Sequence, residues 1–157
     1  MADWISIGDV KTRLGVAETA KGYTDTDITS RIARAQNRIK SKLQSVFDLD
    51  TIDGWDGTTA PPEIREWAKD LAAAYVLSDY GGQPLADRST QAGSLWRIVE
   101  DDLEAVRLGK MQIVDTSNAS VEPVVDLVSS TTQSRTPVYS MNHPSDSNHG
   151  DGTLDEL

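Results

Sequence analysis

Six apolar side chains, Ile28, Ile32, Ala35, Ile39, Leu43 and Val46, recur at spacings of 4, 3, 4, 4 and 3 residues. On a helix they fall within about 80° of arc. A stripe that narrow and that long has to be buried, and other helices offer the ridges and grooves to bury it. The spacing predicts a long helix over residues 27–46 and commits the chain to a helical bundle.

The remaining helices are built round that stripe. Ser6 and Asp9 have capping-box spacing ahead of Ile7, Val10 and Leu14, and Gly15 is a natural stop, so a short helix is expected over residues 6–14. Pro61 and Pro62 close an Asp- and Gly-rich loop over residues 48–62 and suit the first positions of a helix running to Tyr80. Its inward residues are Ile64, Trp67, Leu71, Ala74 and Tyr75, and Gly81 and Gly82 end it. A last helix is expected over residues 87–108, through Ala92, Leu95, Trp96, Val99, Leu103 and Val106, with Gly109 closing it and Lys110 beside its last carbonyls. Ile32, Ile39, Trp67, Leu71, Leu95, Trp96 and Val99 should meet in one core. Residues 111–114 and 121–128 read as short extended segments, the second interrupted by Pro123. The fold class is all-α: about four helices with an extended C-terminal arm.

Apolar residues thin out past Asp115, with 48 of the 59 lying in residues 1–115. Residues 116–157 carry thirteen Ser and Thr, three Pro and one basic residue, Arg135. Eleven apolar side chains cannot offset the cost of ordering so polar a stretch. The division is therefore a helical domain over residues 1–115 and an arm over 116–157 that only partners can order.

Charge and residue usage exclude whole classes of function. The chain of 157 residues has 15 Lys and Arg against 25 Asp and Glu, a net charge of −10, the wrong sign for a general nucleic-acid coat. Without cysteine there is no disulfide scaffold, thiol nucleophile or thiolate zinc site. The longest apolar run, residues 71–77, is far short of the ~20 residues of a membrane span, so no membrane partner is expected. The opening Met1-Ala2-Asp3-Trp4 lacks the basic flank and apolar run of a secretory leader, and a soluble cytoplasmic chain is expected.

Catalytic templates fail. His143 and His149 lie in the polar arm with no rigid partner to orient a base or a ligand. There is no G-x-S-x-G elbow, P-loop or G-x-G-x-x-G, so neither an enzyme nor a cofactor is expected. The loop over residues 48–57 invites a calcium reading. Counted from Asp48, however, Ile52 and Asp53 occupy the fifth and sixth positions, where an EF-hand loop needs an oxygen ligand and a glycine. Asp53-Gly54 and Asp56-Gly57 are also ordinary turn chemistry.

Two charged clusters remain. Arg31, Arg34, Arg38 and Lys42 form a basic stripe beside the apolar face of the long helix, and Glu100, Asp101, Asp102 and Glu104 crowd the last one. Clustered cations on one helix are commonly a solvated face. The functional alternative is a subunit interface, the basic stripe of one copy facing carboxylates of the next, head to tail, in a contact able to close into a ring. A helical DNA-binding module using residues 31–42 is the competing reading.

The order of these elements carries a resemblance. Pro61-Pro62-Glu63-Ile64-Arg65-Glu66-Trp67-Ala68-Lys69-Asp70-Leu71-Ala72 opens the third helix, and Val106-Arg107-Leu108-Gly109-Lys110-Met111-Gln112-Ile113 closes the last. Over residues 5–114 the chain resembles the head–tail connector (adaptor, or head completion) proteins of tailed bacteriophages. The resemblance implies a non-enzymatic ring in the virion neck, commonly of twelve copies. Such a ring sits between portal and tail proteins and extends a channel through which DNA passes without specific binding. Glu100, Asp101, Asp102 and Glu104 would then face the channel or a neighbour, and the arm would engage the portal or adjacent subunits. Val121, Val124, Val125, Leu127, Pro137, Val138, Tyr139 and Met141 are its candidate docking residues. Pro137 favours extended backbone, and Tyr139 and Met141 then project to one side as anchors on an added strand.

Overall fold

The computed structural model describes residues 3–15, 22–117 and 119–123, within the unit Met1–Val125. Those residues form an all-α bundle of five helices: α1 (Ile7–Leu14), α2 (Asp25–Leu43), α3 (Leu49–Asp53), α4 (Pro62–Gly81) and α5 (Gln91–Arg107). The caps are local and explicit. Ser6 Oγ accepts the Asp9 amide while Asp9 accepts the Ser6 amide, and Thr24 and Asp27 repeat the arrangement on α2. Pro62 opens α4 without needing a donor partner. At the end of α5, Gly109 takes φ +68°, its amide donates to Val106 O and the Lys110 amide to Ala105 O. That pair of bonds is a Schellman ending.

Helix α4 is the axis of the bundle. Every residue from 71 to 77 is buried, because α1, α2 and α5 all pack on it, and a helix apolar on all sides requires such cover. Ile28, Ile32, Ala35, Ile39 and Leu43 line the buried face of α2. The core holds Ile32, Ile39, Trp67, Leu71 and Val99, whereas Leu95 and Trp96 are half-buried at its edge.

Three boundaries differ from expectation, each for a local reason. Helix α2 stops at Leu43, where the amides of Val46 and Phe47 both turn back to Leu43 O, which brings both side chains into the core. Helix α5 starts at Gln91, four residues late. The Asp87 carboxylate accepts the Ser89 amide and hydroxyl, and Thr90 Oγ1 caps the Gly93 amide, so side chains hold residues 84–90 in turns. The acidic loop contains α3, whose Ile52 is buried with Trp55 and Ala60. Trp4 Nε1 donates to Trp55 O at 3.2 Å, and the two rings meet edge to face.

Past Asp115 the described chain turns back on itself. Val114 bridges Ser120 antiparallel, the Asp115 amide donates to Ala119 O, and the Val121 amide to Ile113 O. The expected boundary at residue 115 thus falls inside this small hairpin.

Candidate functional site

The basic stripe of α2 faces α4 on one side and α5 on the other, and all four of its cations have carboxylate partners in their own chain. Arg31 Nε donates to Asp79 Oδ2 at 2.7 Å. Arg34 Nη1 lies 3.5 Å from the same oxygen, with its guanidinium stacked 4.1 Å over the Tyr75 ring. Arg38 grips Glu100 with two parallel bonds, 2.8 Å from Nε and 3.0 Å from Nη2, and Lys42 Nζ stands 3.5 Å from Glu100 Oε2. The Glu100 side chain is 13 % exposed, the less exposed of the two carboxylates that the stripe holds, and the fork adds two-point geometry to the pair. Its hydrogen bonds hold the Arg38 guanidinium above its usual pKa. Burial pushes the Tyr75 hydroxyl up as well, opposed by Arg34 and Arg38.

The stripe therefore joins helices of one chain. A neighbouring subunit would find these cations already engaged rather than free, because α2 lies alongside residues 48 to 62 positions away in sequence. The acidic cluster is similarly occupied. Asp101 pairs with Arg97 at 3.2 Å, Asp102 accepts the Trp67 indole N–H at 3.1 Å, and Glu104 takes Arg107 at 2.8 Å. The bond from Arg107 holds the Glu104 carboxyl below its ordinary range. Of the arm residues expected to dock, Val121 is half-buried against the bundle's own core. Val124, Val125, Leu127, Pro137, Val138, Tyr139 and Met141 lie outside the described residues, as do His143 and His149.

The acidic loop is occupied by its own turn. Asp56 Oδ1 accepts the Thr58 hydroxyl and amide and the Thr59 amide and hydroxyl, at 2.7–3.0 Å. Those bonds hold its carboxyl far below the usual range. Asp53 is paired with Lys40. Among the described residues no group of three or more His, Asp or Glu could hold a metal ion.

A feature that no sequence motif announced lies beside the stripe. Leu85 and Trp96 line two adjoining recesses, one bordered by Arg34, Arg38 and Tyr75 and the other by Arg88 and Arg97. Together they form a groove lined by Leu85 and Trp96 and bordered by four arginines. Its residues come from α2, α4, α5 and the 84–90 turn, so no single helical wheel displays it. What the fold defines is an all-α bundle with, among the described residues, no helix long and apolar enough to cross a membrane. No family model, curated protein or solved structure matches the chain.

Proposed function

We propose that the chain is a structural subunit of a phage head–tail connector, a non-enzymatic ring joining portal to tail round the DNA channel. One observation carries the reading: the order of a short capped helix, a long Ile-spaced helix, an acidic loop, a Pro-Pro-initiated helix and a last helix closed at Gly109-Lys110. The net charge of −10 supports it, since an acidic lumen offers phosphates no binding site and lets DNA slide. The competing DNA-binding reading loses ground at the stripe, where phosphates would have to displace Asp79 and Glu100 from the arginines they already hold.

Mass photometry of the full chain, alone and with its cognate portal protein, tests the proposal. A large ring, or a portal-dependent assembly, is expected. A species that stays small in both conditions overturns the reading, and salt-dependent retardation of duplex DNA by that species would establish the DNA-binding alternative.

A further inference from the structure

The groove lined by Leu85 and Trp96 has a chemistry that specifies a ligand. Among the described residues Arg88 makes no ion pair or hydrogen bond, and Arg97 is held by a single carboxylate on the exposed face of α5. Arg34 is 54 % exposed along its side chain, and its flat face lies on Tyr75. Guanidinium forks round an aromatic and aliphatic lining suit an extended acidic segment with apolar anchors: carboxylates take the forks and the anchors cover the indole.

Most carboxylates on the bundle are unsuited to that role because they are already engaged. Asp9, Asp27, Asp56, Asp87, Asp115 and Glu104 each accept bonds from neighbours in their own turn or helix. A matching ligand does occur in the sequence, at Asp151-Gly152-Thr153-Leu154-Asp155-Glu156-Leu157, which has three carboxylate side chains and two leucines in seven residues. From Pro123 to Leu157 there are 34 residue steps, a contour of roughly 110 Å. That is long enough to span a bundle and reach another copy.

We propose that residues 151–157 of one copy dock in the Arg88–Trp96–Arg97 groove of a second copy. Leu154 and Leu157 would cover Leu85 and Trp96, and Asp155 and Glu156 would meet Arg88 and Arg97. The proposal rests on the connector reading only in needing a second copy of the chain.

Charge reversal in the full-length protein tests it. Sedimentation velocity at low ionic strength should show self-association of the wild type. Either Arg88→Glu with Arg97→Glu or Asp155→Lys with Glu156→Lys should weaken it by about tenfold. Mixing the two variants should restore it, because each then supplies the complement the other lacks. Acrylamide quenching, with Trp96→Phe as reference, should show Trp96 becoming protected as concentration rises. Should the groove variant fail to fold by circular dichroism, the tail variant, which alters no described residue, decides alone. A wild type that does not self-associate, reversals without effect, or a mixture that fails to restore association each overturns the proposal. So does a Trp96 protected at every dilution, which would mean that the chain's own segment fills the groove. Duplex DNA retarded by the wild type but not by the groove variant would identify the occupant as nucleic acid and overturn it too. Rings formed equally well by the groove variant would leave the connector reading standing while removing this contact.

Discussion

Asp70 is the buried charge of the bundle, 6 % exposed on α4 and paired with Arg13 from α1. The two partners are not equivalent, since the Arg13 side chain is 44 % exposed. Burial raises the Asp70 pKa, and the Arg13 hydrogen bond and charge offset this only in part. A carboxyl whose folded pKa lies above its unfolded value costs stability when ionised, and that cost fades as pH falls through the folded pKa. Removing Arg13 leaves a buried carboxylate without its partner, whereas removing the Asp70 charge leaves a guanidinium that water can hydrate. Arg13→Ala should therefore lose on the order of 1–3 kcal/mol at pH 7. Asp70→Asn should not lower the melting temperature there, and any gain should vanish by about pH 3. Thermal denaturation of both variants at pH 7 and pH 3 checks the asymmetry, and equal losses at pH 7 would contradict it.

At the scale of elements, the start of α5 depends on one glycine. A Cβ on Gly93 would stand 1.9 Å from Asp87 O and 3.1 Å from Leu85 O, both backbone atoms of the preceding turn. The need is for close approach rather than unusual dihedrals, since Gly93 is an ordinary helical residue. Gly93→Ala must push residues 85–87 away from the helix at about 1–3 kcal/mol, the usual cost of overpacking. The same turn carries Leu85, so the substitution should also alter the groove. A lowered melting temperature with increased acrylamide access to Trp96 is the expected result. Unchanged stability would mean that the turn is not pressed against α5. This constraint was not legible beforehand, because Gly93 sits inside an apparent 87–108 helix where a glycine merely looks unfavourable. The boundaries of α1 and α4 were legible, because Ser6, Asp9, Gly15, Pro62 and Gly82 act within one turn of where they stand.

For the whole molecule, carboxylates set the response to acid. Hydrogen bonds from Ser6, Thr24, Thr58, Ser89, Arg107 and Ser117 lower the pKa values of Asp9, Asp27, Asp56, Asp87, Glu104 and Asp115 respectively. A group with a depressed folded pKa contributes stability that is present above its unfolded value, about 4 for these side chains, and lost as pH falls through the folded one. Asp70 works in the opposite sense but is one group against six. The melting temperature should hold between pH 7 and pH 5 and fall steadily below about pH 4. A profile flat to pH 2, followed by circular dichroism, would show that these turns contribute little.

The sequence by itself determined four of the five helices. Periodicity, caps and stop signals act over three or four residues, so the stripe from Ile28 to Leu43 and the Gly109 ending could be read without knowing what they pack against. It also showed that α2 carries a basic face and α5 an acidic one, but not what those faces meet. Only tertiary packing decided that Arg31 and Arg34 share Asp79, that Arg38 closes on Glu100, and that Leu85 and Trp96 line both the recess of Arg34 and that of Arg88 and Arg97. Each of these placements joins side chains from different elements, up to 62 residues apart. The pairing of helices, which depends on how their apolar faces fit, settles which charges become neighbours.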